Sequence, residues 1–210
     1  MQVKQGKAHK YIGMTLDYST VGQVKITILD YTNEILNAFY KVDPLGGGTK
    51  SSAATAIHFK VNKDCKKLNT KRAVEFHHLA IKILFATKWD RLYTFTKISF
   101  LTPRVRETDS DDWAKLVHIM TYIRGTRNLP LILSANGSGI LKWCINGSFA
   151  VHPNMRGHTG GGLLRGRGFP IFSSTKKNLN TQSSTETEIV SVDHCVPAIL
   201  WTRYWLEAQE

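Results

Sequence analysis

Apolar and polar positions change their period several times along the chain. Val24 to Leu29 (VKITIL) alternates and is rich in β-branched residues, which predicts a strand. Asp30 to Phe39 follows as a short helix with Asp30 placed to cap it. Lys41 to Lys71 contains Pro44, Gly46, Gly47 and Gly48 and has no sustained period, so it reads as a long connecting segment. Ala73 to Thr87 returns to helical spacing, with Phe76, Leu79, Ala80, Ile83 and Leu84 on one face, and a further helix is expected over Thr94 to Leu101. Ser110 to Arg124 gives the clearest helical stripe: Trp113, Leu116, Val117, Met120 and Ile123. Asp109, Asp111 and Asp112 sit at its start, where the helix dipole favours negative charge, and Gly125 ends it.

Beyond residue 125 the texture becomes that of short strands. Leu131 to Ala135, Leu141 to Phe149, Thr159 to Leu164 and Pro170 to Ser174 are separated by Gly, Asn and Pro turns. Ser184 opens a helical region reaching Glu207, with a bend or break expected at Pro197. A domain cut is expected between residues 125 and 140.

Composition narrows the classes. The 42% hydrophobic content is that of a globular chain, and no run of about 18 apolar residues suggests a membrane span. Met1 to Lys10 has no apolar core of a secretory signal, and the three separated cysteines (Cys65, Cys144, Cys195) argue for a reducing compartment, so an intracellular protein is expected. Charge is more telling: 28 Lys and Arg against 16 Asp and Glu give +12. From Trp113 to Thr185 there is no acidic residue, yet Lys115, Arg124, Arg127, Lys142, Arg156, Arg165, Arg167, Lys176 and Lys177 all fall there. A nucleic-acid partner fits that bias better than a membrane surface, because no basic amphipathic helix accompanies it.

Three local patterns have simpler explanations than chemistry. Gly46-Gly47-Gly48-Thr49-Lys50-Ser51 lacks the direct Gly-Lys-Ser/Thr succession of a phosphate loop and reads as a linker. The Asp109–Asp112 cluster is accounted for by the helix start. His77 and His78, adjacent on a helix, point about 100° apart and do not chelate one ion together.

The C-terminal third carries a denser set of motifs. It reads Trp143-Cys144-Ile145-Asn146-Gly147-Ser148-Phe149-Ala150-Val151-His152, then Arg156-Gly157-His158-Thr159-Gly160-Gly161, Ser173-Ser174-Thr175-Lys176-Lys177 and Ser183-Ser184-Thr185-Glu186-Thr187-Glu188. This series resembles the ribonuclease H domain of Ty1/copia-type retrotransposon Pol polyproteins. There an Asp-Ala-Ser-Phe/Tyr strand is followed by His-Thr-Gly-Gly, Ser-Ser-Thr-Lys and a helix opening Ser-Ser-Thr-Glu-Ala-Glu. Upstream, Tyr11-Ile12-Gly13-Met14 is similar to the segment just beyond the polymerase palm. Glu75-Phe76-His77-His78-Leu79, Phe100-Leu101-Thr102-Pro103-Arg104-Val105 and Asp111-Asp112-Trp113 resemble the connection region.

The resemblance implies an α/β chain, with an incomplete ribonuclease H-like domain (mixed sheet plus helices) preceded by a mainly helical connection region and a reverse-transcriptase thumb fragment. The implied segments are 1–45 (palm and thumb fragment), 46–70 (linker), 71–130 (connection) and 131–210 (truncated ribonuclease H-like domain). It implies binding of RNA–DNA hybrid and hydrolysis of the RNA strand by two Mg²⁺ ions, which need several carboxylates held close together. The family's first Asp matches Asn146, and its helix Glu matches Glu188. Its next Asp is expected after Glu210, and the polymerase Tyr-x-Asp-Asp hairpin before Met1. Arg91-Leu92-Tyr93 also departs from the family's Arg-Pro-Asp. Little or no catalysis is therefore expected, whereas phosphate contact needs only cations on a folded platform; Arg156, Lys176 and Lys177 are the candidates. A non-enzymatic nucleic-acid-binding protein, or a degenerate remnant with no present function, are the alternatives. No small-molecule cofactor is implied.

Overall fold

The computed structural model describes residues 6–44, 46–49 and 56–209 of the chain. It is a mixed α/β structure with two antiparallel sheets and five α-helices among the described residues. Its contacts divide into two compact units: residues 1–137 with 166–168, and residues 138–165 with 169–210.

The first unit opens with a hairpin of β1 (Ala8–Tyr11) and β2 (Met14–Asp17). Ile12 and Gly13 turn it, both at positive φ (48° and 76°), as a two-residue hairpin turn requires. β3 (Gln23–Thr27) pairs with β2, and its other edge takes β4 (Leu131–Ser134), giving the order β1-β2-β3-β4. Leu131–Ser134 therefore belongs to the first sheet and not to the strands that follow it, which moves the boundary from residue 131 to the 137/138 junction. The segments 1–45, 46–70 and 71–130 fall in one unit.

Helices α1 (Leu29–Tyr40), α2 (Thr70–Trp89), α3 (Phe95–Leu101) and α4 (Ser110–Gly125) supply the core of this unit. Phe39, Phe76, Phe100, Ile35, Ile83 and Ile119 are fully buried there. Asp30 lies in the first turn of α1 and does not cap it; Ile28 holds the cap position with no side-chain bond, because the helix begins one residue earlier than the pattern suggested. α2 starts at Thr70, where Asn69 accepts from the Arg72 N–H. The Asp109–Asp112 cluster forms a capping box at α4, and both carboxylates also pair with Arg104.

Asp43 ties three helices together. Its carboxylate accepts from the Arg72 guanidinium at 2.7 Å and the Trp113 indole at 2.9 Å, and Arg72 also lies 3.9 Å from the Trp113 ring centre. Buried Asp90 accepts from the backbone N–H of Ile28 and of Leu131, joining β3 and β4 to the end of α2. Gly46 and Gly47 are exposed with open space around them, whereas the Thr49 N–H donates to the Thr121 carbonyl and a Cβ on Gly48 would sit 2.8 Å from the Gly125 backbone. Residues 46–49 form no helix or strand, as expected of a connecting segment; Lys50 and Ser51 of the same motif lie outside the described residues.

The second unit is a three-stranded antiparallel sheet, β5 (Lys142–Ser148), β6 (His158–Leu164) and β7 (Ile171–Lys176), with α5 (Ser184–Glu207) across it. α5 continues as one helix through Pro197, so the expected break is not found. Glycines let the helix approach the sheet closely. A Cβ on Gly147 would meet Ser191 Oγ at 2.5 Å, and one on Gly161 would meet Cys195 Sγ at 2.6 Å. No helix among the described residues is long and apolar enough to cross a membrane.

Candidate nucleic-acid interface

Glu188 stands in the second turn of α5, whose start is capped by Ser183 accepting from the Glu186 N–H. The exposed Glu188 carboxylate accepts from the Gly147 N–H at 3.1 Å, placing it beside the peptide that joins Asn146 to Gly147. Asn146, on β5, is exposed. The two positions that the motifs singled out are thus neighbours in space, but between them they carry one negative charge.

That donor set does not fit a pair of Mg²⁺ ions. Two divalent cations held close together need several carboxylates to offset their repulsion, and an amide contributes no charge. No cluster of three or more His, Cys, Asp or Glu side chains suited to a metal occurs among the described residues. Glu186 does not add to the site; its carboxylate accepts from the Gln182 N–H and closes the helix start. Asp193 is exposed farther along α5.

The three candidate cations separate into two kinds. Lys177 is buried: its ammonium donates to the Thr187 carbonyl and, at 2.8 Å, to the Ser191 hydroxyl, clamping the end of β7 to α5. Burial lowers its pKa, and Glu188 partly opposes that shift. These bonds take Lys177 out of the set facing solvent, so the phosphate role expected for it is replaced by a structural one.

Arg156 and Lys176 remain half-buried at the surface. Among the described residues neither side chain has an ion-pair or hydrogen-bond partner. Lys176 lies opposite His158, the residue two along from Arg156, across β6 and β7, and its pKa is lowered by burial and then by the like charge of Arg156. Holding two such charges together without an anion is unfavourable, so the pair is suited to receive one.

The loop presenting Arg156 is firmly built. Ala150 and Met155 both adopt positive φ (48° and 61°), a costly conformation for residues with a Cβ. The loop closes through His152 N–H to the Arg156 carbonyl and Met155 N–H to the His152 carbonyl. Underneath, His152 Nε2 lies 3.1 Å from His158 Nδ1, and His158 Nε2 lies 2.7 Å from Ser174 Oγ. Burial first, then neighbouring positive groups, hold both imidazoles neutral with pKa values of about 4. His158 and Thr159 are buried framework residues, with the Thr159 hydroxyl donating to Ser191.

The acid-free stretch is divided between the two units. Trp113–Gly137 belongs to the first unit, where Lys115 is buried against Asp111 and the Lys60 carbonyl, and Arg124 bonds the Gly46 carbonyl. The first unit also holds 22 of the 28 basic residues and 11 of the 16 acidic ones, so the excess charge lies largely outside the unit bearing Glu188. The exposed Lys60, Lys63, Lys66, Lys67 and Lys71 contribute to it, a basic run that Asp64 interrupts and that no acid-free stretch therefore marks in the sequence.

No protein-family model matches the chain, and neither the curated proteins nor the solved structures contain a match to it.

Proposed function

We propose that this chain is a fragment of a Ty1/copia-type retrotransposon reverse transcriptase/ribonuclease H polyprotein that binds RNA–DNA hybrid without cutting it. The motif series from Trp143 to Glu188 supports the family, and on this reading its ribonuclease H-like part is the unit of β5, β6, β7 and α5. The single observation that carries the binding half is the Arg156–Lys176 pair: Lys176 lies opposite His158, the residue two along from Arg156, across β6 and β7, and neither cation has an acidic partner among the described residues. Its loop is fixed in advance by the His152–His158–Ser174 chain, so little ordering cost is incurred when a phosphate arrives.

The loss of catalysis follows from the charge at the other end of the site. In-line hydrolysis by two metals needs a carboxylate at position 146, where an amide stands, and Glu188 alone does not replace it. The chain's own residues do the remaining tasks: Arg156 and Lys176 neutralise phosphates, Lys177 fixes β7 to α5, and Glu188 anchors the start of α5 on β5.

The test is a salt titration of binding to a fluorescent RNA–DNA hybrid. Affinity falls steeply as salt rises, and Arg156→Ala and Lys176→Ala each reduce the slope of log K against log salt by about one. Unchanged slopes in both variants would place the contacts elsewhere, and absence of binding at low salt would end the proposal.

A further inference from the structure

The connection between β5 and β6 contains a turn whose geometry and residue choice disagree. Met155 N–H donates to the His152 carbonyl at 2.8 Å, closing a turn with Pro153 and Asn154 at its centre. His152 N–H then donates to the Arg156 carbonyl at 3.1 Å, and Met155, enclosed by the two bonds, lies at φ +61°. A turn followed by one left-handed residue is a common hairpin closure, and glycine suits that place because any Cβ there is strained. Here the place holds a long, unbranched apolar side chain. Asn154, which tolerates the left-handed region better, stands one position too early.

Burial does not account for the choice. Met155 is 59% exposed, and Pro153 and Asn154 beside it are exposed too. Met14 and Met120 are 6% and 0% exposed, so the chain keeps its other described methionines inside. The base of the turn is fixed, since buried His152 meets His158, and His158 meets Ser174. A strained residue on a fixed base, with its side chain in solvent, is the pattern of a contact held ready for a partner.

The neighbouring charge indicates which partner. Met155 directly precedes Arg156, which with Lys176 forms the pair of cations lacking an acidic partner among the described residues. Cations beside an apolar tip match a surface on which phosphates alternate with sugars. An A-like hybrid has a deep, narrow major groove that side chains do not read, and a wide, shallow minor groove that displays sugars and base edges. A projecting turn whose arginine meets the phosphates therefore faces the shallow groove. Apolar side chains, methionine among them, serve there as wedges.

We infer that Met155 is an apolar contact residue, laid against the sugars of the minor groove of a hybrid held by Arg156 and Lys176. The inference rests on the proposed hybrid binding and adds to it a contact of a different physical kind. Phosphate contacts release counterions and weaken with salt, whereas an apolar contact excludes water and does not.

That difference supplies the test. Hybrid affinity of the full chain is measured by anisotropy across a salt series for the parent, Met155→Gly, Met155→Leu and Arg156→Ala. Glycine removes the side chain and the strain together, so Met155→Gly keeps or raises the melting temperature. It weakens hybrid binding by about fivefold or more and leaves the slope of log K against log salt unchanged. Met155→Leu retains the affinity, and Arg156→Ala lowers the slope by about one. Dilute peroxide gives a reading of proximity: bound hybrid slows conversion of Met155 to its sulfoxide, followed by peptide mass.

Unchanged affinity in Met155→Gly, or oxidation of Met155 equally fast with and without hybrid, overturns the inference while leaving the phosphate contacts standing. An affinity loss that comes with a lower melting temperature makes Met155 a structural part of the turn and also overturns it. Absence of hybrid binding by the parent, or an unchanged slope in both Arg156→Ala and Lys176→Ala, ends the proposed binding and this inference with it.

Discussion

The Lys177 ammonium lies 2.8 Å from the Ser191 hydroxyl, inside the unit and not at its surface. Lys177→Met is therefore expected to lower stability by about 2–3 kcal/mol, the cost of losing charge-assisted bonds at a buried site. Hybrid affinity, measured under conditions where the variant remains folded, stays unchanged. Urea denaturation and an anisotropy titration read the two effects separately.

Gly147 is fixed by proximity. A methyl group there would sit 2.5 Å from Ser191 Oγ and 2.9 Å from the Thr187 carbonyl, whereas one on Gly160 meets nothing nearer than 3.9 Å. Gly147→Ala should cost about 1–3 kcal/mol by forcing α5 off β5, while Gly160→Ala should stay within about 0.5 kcal/mol. Equal midpoints for the two variants in urea would contradict the packing described.

How much of this was legible in the sequence varied by element. α4 was, because its stripe and its acidic start agree, and β5, β6 and β7 were, because Gly, Asn and Pro punctuate them. β1 and β2 were not: Ile12 holds a positive φ, and a β-branched residue gives no turn signal. Leu131–Ser134 reads as a strand, but its partner β3 lies about a hundred residues earlier, and no local pattern encodes such a pairing. Within the site, Lys176 and Lys177 look alike as letters. The available signal was alternation, since successive residues of an extended segment face opposite ways and one of the two had to turn inward.

Acid should loosen the fold. His58, His152 and His158 all have folded pKa values of about 4 against an ordinary 6.5, chiefly because burial disfavours the cation. The unfolded chain then takes up protons first as pH falls. The stability they contribute is fully present above about pH 6.5 and is lost progressively towards pH 4. The melting temperature should fall across that window, and His158→Gln should make the fall shallower. A melting temperature flat from pH 7 to 4.5 would contradict the buried neutral chain.

Asn146→Asp places a second carboxylate beside Glu188. Calorimetry with Mn²⁺ should register a gain in divalent affinity, weak because no third carboxylate joins the cluster among the described residues. Cleavage should still be absent. No change in metal affinity would mean that position 146 does not share a site with Glu188.

The central claim, binding without cutting, is tested most directly by incubating saturating folded protein with an end-labelled RNA–DNA hybrid in Mg²⁺ and then in Mn²⁺. Bound fraction and strand length are read from the same samples. The account predicts a fully bound, salt-sensitive complex whose RNA strand stays intact in both metals. RNA cleavage that Glu188→Gln abolishes would contradict it, showing that one carboxylate and an amide suffice for the reaction.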